Sequence, residues 1–368
     1  MPLWTLVVIF TVFGACVGSF LNVCIWRMPR SGLTVNRPRR SHCPHCGSTI
    51  AVYDNVPLLS WLVLGGRCRS CDYPISIRYF LVEALTATLF GVLAYKYLSV
   101  EDARWGEFVA LAALTAALIV ASFIDMDLRI LPDEITVGGM MLVPLVAVLV
   151  PEFHTRPADP WIWSALNALA PELESWAGGL PDGLRSLPVT VALIALGGGG
   201  GAVLGLFGFR AYWLLVHPRH PNRLRDGALA AVLIGTLLAG LVLVLLHPRF
   251  FLAPRAVSYV TSLVGMASGA TLVLGVGIVG KMVFRKEAMG FGDVKLMGLL
   301  GGFGGWVGVL AGFALACLLG SLVGVWRLLL YRNRYLWFGP FLSLGCLIVI
   351  IFPEAMRVLL DWYLDLFR

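Results

Sequence analysis

Phe108-Val-Ala-Leu-Ala-Ala-Leu-Thr-Ala-Ala-Leu-Ile-Val-Ala-Ser-Phe-Ile124-Asp125-Met-Asp127-Leu-Arg-Ile-Leu-Pro132-Asp133-Glu134 runs without a charge from Phe108 to Ile124 and then turns abruptly acidic. An apolar run of about 20 residues spans a bilayer as a helix. Comparable runs recur on both sides of this one: Leu3–Ile25, Phe80–Leu98, Ile135–Val150, Val189–Val216, Ala228–Leu246 and Val257–Val283. A glycine-broken pair follows at Leu296–Gly305 and Trp306–Leu330, and a last run covers Leu336–Phe352. The pattern predicts an all-α polytopic membrane bundle of about 8–10 transmembrane helices. Composition agrees: the 368 residues are 59% hydrophobic and 13% charged, with mean hydropathy +0.85. Soluble domains are about 45–50% apolar and about 25% charged, so a soluble enzyme and a disordered chain are both excluded.

The formal net charge of +7 follows from topology. With the N-terminus outside, alternation puts residues 27–79, 125–134, 217–227, 284–295 and 331–335 inside, where Arg219, Arg223, Arg225, Arg285, Lys286, Arg332 and Arg334 fall. Residues 151–188 fall outside and carry Glu152, Asp159, Glu172, Glu174 and Asp182. Arg249 and Arg255 run against this count, but the asymmetry favours it, so the charge gives no support to nucleic-acid binding. The first run lacks a basic region before it and is expected to be a retained helix, not a removed signal. The expected organisation is a first transmembrane helix at 1–26, a cytoplasmic module at 27–79 and transmembrane helices at 80–150. An inserted outer loop with an extra hairpin at 151–257, further transmembrane helices at 258–353 and an amphipathic tail at 354–368 complete it. On that tail Val358, Leu359, Trp362 and Leu366 share a helical face, and the chain shows no internal repeat.

Of eight cysteines, Cys16, Cys24, Cys317 and Cys346 lie in apolar runs and read as small hydrophobes. The other four form Cys43-Pro-His-Cys46 and Cys68-Arg-Ser-Cys71 within the Arg-rich module. Two such pairs complete a tetrahedral four-thiolate zinc site, and a reducing cytoplasm favours metal over disulfides. The site would be structural, because four thiolates leave no open position. Redox dithiols and unliganded thiols are the other readings. His45 and His42 are expected to be exposed knuckle residues, since four thiols already suffice.

Ionisable groups at membrane depth are functional candidates by default. Asp125 ends its run, and Asp293 follows glycines in Gly290-Phe-Gly292-Asp293-Val-Lys295. Both fall at the cytoplasmic ends of their helices on this topology. Two carboxylates brought together cannot both ionise cheaply, so one keeps its proton while the other takes one from water, as in an aspartic protease. Gly290 and Gly292 are expected to allow unusual backbone angles and close approach of a substrate strand. The plainer reading of Asp293 is a helix cap. Lys295 is expected to face away and snorkel.

At these residues the sequence resembles the type IV prepilin peptidases, the bifunctional leader peptidase/N-methyltransferases of the GxGD aspartyl protease family. Gly18-Ser-Phe-Leu-Asn22-Val-Cys-Ile-Trp-Arg27-Met-Pro29 is similar to the family's N-terminal signature. Both cysteine pairs bracket Tyr53-Asp54-Asn55-Val-Pro57-Leu-Leu-Ser60-Trp61-Leu, and Arg78-Tyr79-Phe-Leu-Val-Glu83 follows. Ile124-Asp125 with Leu131-Pro132-Asp133 resembles the first catalytic block, Gly290-Phe-Gly292-Asp293 the GxGD block, and Phe338-Gly339-Pro340-Phe341 the C-terminal motif. The resemblance implies that Asp125 and Asp293 are the catalytic pair and that the substrates are prepilins or pseudopilins, cut after Gly on the cytoplasmic side. It further implies S-adenosylmethionine-dependent methylation of the new N-terminus, a bacterial inner-membrane location and a partnership with pilus or type II secretion machinery. Residues 151–257 depart from the family's usual short connection. Two other functions compete: a proton-coupled transporter using the intramembrane aspartates, and a zinc-module scaffold whose aspartates only cap helices.

Overall fold

A backbone in lipid must satisfy its own polar groups, so apolar runs of this length have little choice but to become helices. The computed structural model describes residues 2–30, 34–36, 41–43, 45–99, 101–155, 254–285, 289–331 and 337–354. The helices are α1 (Leu3–Arg27), α2 (Leu59–Val63), α3 (Ile77–Tyr97), α4 (Trp105–Leu128), α5 (Asp133–Leu149), α6 (Glu152–Thr155), α7 (Pro254–Phe284), α8 (Phe291–Tyr331) and α9 (Gly339–Ile351), with a 3-10 turn at Val52–Asn55. Among the described residues there is no strand, only isolated bridges. Among the described residues five helices are long and apolar enough to cross a membrane, and α9 is a shorter apolar one. The expected glycine break in α8 is at Gly305, whose φ of 67° and ψ of −179° interrupt the helix. The expected hairpin runs at 189–216 and 228–246 and the amphipathic face at 358–366 lie outside the described residues.

The chain divides into two compact units, 1–135 with 314–352, and 136–313 with 353–368. In the first, α1 and α3 pack at near-backbone distance. A Cβ on Gly18 would stand 2.7 Å from the Glu83 Cα, and one on Gly14 would stand 2.7 Å from the Phe90 Cβ. Small residues that let helix backbones meet are the usual basis of association in lipid, where burial of apolar surface supplies no drive. Leu21, Cys24 and Ile25 of α1, Val82 of α3, and Ile119, Val120 and Ile124 of α4 form one buried cluster. Local chemistry sets the ends: the Ser76 hydroxyl accepts from the Arg78 amide at the start of α3, and Pro340 occupies the first turn of α9. Arg129 adopts a left-handed conformation that closes α4, donating its amide to the Asp125 carbonyl at 2.9 Å.

In the second unit α7 and the first half of α8 also meet through glycines, with Gly265 against the Gly301 carbonyl. The unit is tied by His154, a buried ring whose Nδ1 lies 2.8 Å from Ser258 Oγ and whose Nε2 lies 3.1 Å from the Gly302 carbonyl. A carbonyl only accepts, so Nε2 carries a proton, whereas the Ser258 hydroxyl can donate to or accept from Nδ1. Burial favours the neutral ring and pushes its pKa down to about 4, so at neutral pH Nδ1 accepts from the Ser258 hydroxyl. Because the folded value lies below the ordinary 6.5, the stability this ring contributes is full above pH 6.5 and is lost as pH falls toward 4. The expected loss is about 3 kcal/mol. It is measured as the change in unfolding midpoint of the detergent-solubilised protein between pH 7 and pH 4. In His154→Gln that change should shrink by the same amount; an equal acid slope in both proteins would refute the assignment.

Candidate active site and metal centre

The four cysteines predicted as ligands are brought together. Their Sγ atoms all lie within 4.8 Å of one another, and Cys43 and Cys71, one from each pair, are 3.8 Å apart. A tetrahedral zinc with bonds of about 2.3 Å has sulfur–sulfur edges of about 3.8 Å, so the cage fits that ion. The two pairs share one backbone design. Cys43 and Cys68 each accept at 2.9 Å from the amide four residues on, Gly47 and Asp72. Each also donates at 2.9 Å to the carbonyl five residues on, Ser48 and Tyr73. Gly47 and Asp72 both take positive φ, 70° and 54°, and matching bridges flank the turns, His42 with Thr49 and Arg67 with Pro74. The two cysteine pairs that the spacing marks thus share one backbone turn, a likeness in hydrogen bonding that the spacing alone does not show.

The donor chemistry asks for a cation. The Ser48 hydroxyl and amide pull the Cys46 thiol down to about 6. At Cys71 the Tyr73 amide lowers the thiol, but desolvation and the three neighbouring cysteines outweigh it and push it up to about 12. Four thiols this close therefore resist full ionisation unless a divalent ion sits among them. His45 is exposed and stacks on Tyr73, ring centroids 4.5 Å apart, outside the ligand set. Arg69, inside the second knuckle, makes a bidentate pair with Asp54 of the 3-10 turn, at 2.6 and 2.8 Å, and holds that carboxyl below its ordinary range.

Asp125 lies near the end of α4, 9% exposed. The start of α9 sits on it: a Cβ on Gly339 would be 2.7 Å from Asp125 Oδ2 and 3.2 Å from Cγ, so any side chain there would displace the carboxylate. The same end of the first unit holds the beginning of α3, where Arg78 reaches across to Asp127 at 2.5 Å and to the Phe123 carbonyl at 3.2 Å. Asp125 is thus on the module-bearing end of its unit, under the N-terminus of α9, where the helix dipole favours a negative group.

Asp293 stands in the first turn of α8, in the second unit, and its Oδ2 accepts from the Gly290 amide at 3.2 Å. It is therefore one half of a capping arrangement as well as a candidate catalytic acid; each aspartate meets a helix N-terminus. The unusual backbone angles expected at Gly290 and Gly292 need correction. Gly290 and Gly292 are not among the glycines with positive φ, and a Cβ on Gly290 would meet nothing tighter than the Asp293 carboxylate at 3.6 Å. The glycine that approaches an aspartate closely is Gly339, against Asp125. Lys295 is half-buried and places its Nζ 5.1 Å from the centre of the Phe291 ring. Pro132 and Asp133 lead into α5, with Ile135 donating its amide to the Pro132 carbonyl.

Two residues with roles in this region are not singled out by residue-level reading. Glu83 is buried inside α3 and accepts the Leu58 amide at 2.7 Å; the rule that flags Asp125, an acid within an apolar run, applies to it equally. Gly339 belongs to a quoted motif, but nothing local says what it approaches.

Residues 12–97 match the Bacterial Peptidase A24 N-terminal domain. The chain is 49% identical over 131 residues to the prepilin leader peptidase/N-methyltransferase of Myxococcus xanthus, covering 35% of this chain and 37% of that protein. It is 46% identical over 148 residues to the type 4 prepilin-like proteins leader peptide-processing enzyme of Escherichia coli, covering 36% of this chain and 53% of that one. These two matches span about a third to a half of the relatives' length. The prepilin leader peptidase/N-methyltransferase of Pseudomonas putida is 28% identical over 97% of this chain and 96% of its own. No solved structure matches the chain.

Proposed function

We propose, from a kinship that runs nearly the full length of this chain, that it is a membrane-embedded aspartyl endopeptidase acting on prepilins or pseudopilins. It removes their short basic leader on the cytoplasmic side and then methylates the new N-terminus with S-adenosylmethionine. The observation that carries the peptidase reading is the seat of Asp125, a buried carboxylate roofed by a glycine from a distant motif block. A carboxylate that only capped or charged a surface would need no such roof.

In this mechanism Asp125 and Asp293 share one proton and titrate as a unit. The ionised carboxylate takes a proton from water as the water oxygen attacks the scissile carbonyl carbon. The protonated one donates a hydrogen bond to the carbonyl oxygen. The tetrahedral diol then collapses, its C–N bond breaking as the departing amine takes a proton from the pair. When bound, zinc supplies a cross-link between the two knuckles, held by Cys43, Cys46, Cys68 and Cys71, with no position left for substrate. Methyl transfer is read from the relatives' names, and no residue of this chain is assigned to it. The arginine excess of the module at 27–79 supports a cytoplasmic position for that face, while the bacterial inner membrane and a partnership with pilus or type II secretion machinery follow from the family resemblance.

The experiment is incubation of the purified protein with a pilin precursor in detergent, followed by mass measurement of the product. A mass lower by the leader reads peptidase action, and one added methyl group reads the transferase; an unchanged precursor would overturn the proposal. Gly339→Ala sharpens the test. Its Cβ displaces the Asp125 carboxylate, so cleavage should fall about 100-fold, the usual effect of misplacing a reacting group by about 1 Å. The loss should appear in kcat with KM held within about twofold, and zinc content and insertion should match the parent.

A further inference from the structure

Residues 52–63, Val-Tyr-Asp-Asn-Val-Pro-Leu-Leu-Ser-Trp-Leu-Val, lie between the two cysteine pairs in what the sequence marks as a water-facing module. Their structure does not suit water. Neither the 3-10 turn nor α2 buries a single residue, yet Val52 is 88% exposed, Val63 78% and Tyr53 70%, with Val56, Leu59 and Leu62 exposed beside them. Soluble surfaces rarely present so dense an apolar patch.

Three attachments fix where this lobe lies. The Leu58 amide donates to Glu83 Oε2 at 2.7 Å, the Trp61 ring packs on Phe80 with centroids 5.4 Å apart, and Trp61 Nε1 donates to the Ile75 carbonyl at 3.2 Å. Phe80 and Glu83 belong to α3, whose span Ile77–Tyr97 has 21 residues. At 1.5 Å per residue that helix is about 30 Å long, the thickness of the hydrocarbon core, so all of it is needed to cross. Glu83 then stands about 9 Å inside its first residue. The lobe is bound alongside that depth, and its exposed side chains continue the apolar surface that Ile77, Leu81 and Leu85 of α3 present outward.

Its backbone is built for the same surroundings. The Val56 amide donates to Ser60 Oγ, and the Ser60 hydroxyl donates to the Tyr53 carbonyl. The amides of Asp54, Leu59, Ser60, Leu62, Leu64, Gly65 and Gly66 all find carbonyls within the segment 51–62. Asn55 is exposed, but the backbone amides named above are satisfied within the segment and Asp54 is paired with Arg69, which meets what a bilayer demands of backbone and charge in a segment at its edge. Arg67 and Arg69 are exposed beside the lobe, Arg69 paired with Asp54 and over the Tyr53 ring, and both suit anionic headgroups at its edge.

We propose that residues 52–63 are a membrane-inserted lobe, docked against lipid at the mouth of the bundle, and that they hold the four-cysteine cage down on the bilayer surface. The test uses the full-length, zinc-loaded protein in nanodiscs of phosphatidylethanolamine and phosphatidylglycerol. The photo-crosslinking residue p-benzoylphenylalanine is placed in turn at Leu62, Val63, the lipid-facing control Leu81 and the exposed knuckle control Ser70. Phospholipid adducts at 62 and 63 in yields like those at 81, and none at 70, are the expected result. Yields at 62 and 63 as low as at 70 would put the lobe in water. Adducts with an added pilin precursor in place of lipid would make it a substrate surface, and either outcome overturns the proposal. Should a variant lose its zinc, the unmodified protein gives a second reading. Hydroxyl-radical oxidation of Tyr53, Leu62 and Val63 in nanodiscs, each normalised to the same residue's rate in the denatured chain, should fall to the level of Leu81, at least fivefold below Tyr73, and parity with Tyr73 overturns the proposal.

Discussion

Asp125→Asn and Asp293→Asn should each lower prepilin cleavage by about 10⁴-fold or more, the scale seen when a member of a concerted catalytic set is removed. Insertion, zinc content and thermal stability should stay at the parent's level. The substitution is chosen for what it keeps. Asparagine has the shape of aspartate, so at 125 it fits under Gly339 without a new clash. At 293 its amide oxygen still accepts the Gly290 amide, so the cap survives. What disappears at either site is the capacity to hold or release a proton, which a cap does not need and a dyad does. The two mutations should also be non-additive, the double variant being no slower than the worse single one. If Asp293→Asn cleaves normally, its carboxylate is a cap and the scaffold reading gains; if both singles cleave, the aspartyl mechanism is wrong. Gly339→Ala falls between these cases, because it leaves both carboxylates intact and moves one.

The second large effect is loss of metal. The full-length protein should hold one zinc per chain, and Cys68→Ser combined with Cys71→Ser should abolish it. Structural zinc contributes on the order of 10 kcal/mol to small cysteine modules at neutral pH, and this module has little core of its own. Hydrogen exchange should locate the damage. The Gly47 and Asp72 amides, which close the two knuckles onto Cys43 and Cys68, should lose at least about 100-fold of their protection on chelation. Leu58 and Leu62 should change far less, since their anchorage is Glu83 and the backbone of their own segment, not the cage. The buried cluster of Leu21, Val82 and Ile124 should not respond. Equal protection at Gly47 and Asp72 with and without chelator would remove the structural role of the metal. A module that unfolds through Leu58 as well would show that the lobe depends on the cage for its place.

The residues behind these expectations differ in how legible they are in the amino-acid sequence. The spans around Phe108–Ile124 and the break near Gly305 are legible because hydrophobic length and a glycine are local properties of a segment. The cysteine cage is legible because each knuckle is built from six consecutive residues, so spacing alone brings two sulfurs together. Asp125 and Asp293 stand out because an acid at the end of an apolar run is costly wherever the chain goes. Glu83 obeys the same rule, yet it sits inside a longer motif block that draws attention away from the single residue. The depth of residues 52–63 is hidden for another reason. Arg and Cys nearby set the average polarity of the module, while the apolar lobe is short and its anchor is a residue of the next helix.

The amino-acid sequence alone determined a helical membrane chain and the four cysteines that cluster in one module, since each follows from residue type, spacing or run length. Only the tertiary structure decided that Gly339 roofs Asp125, that Leu58 hangs from Glu83 and that His154 is locked neutral between Ser258 and Gly302. Each joins residues far apart in the chain. Hydrophobic periodicity specifies which face of a helix is apolar, not which distant backbone comes near enough to exclude a side chain or capture a proton.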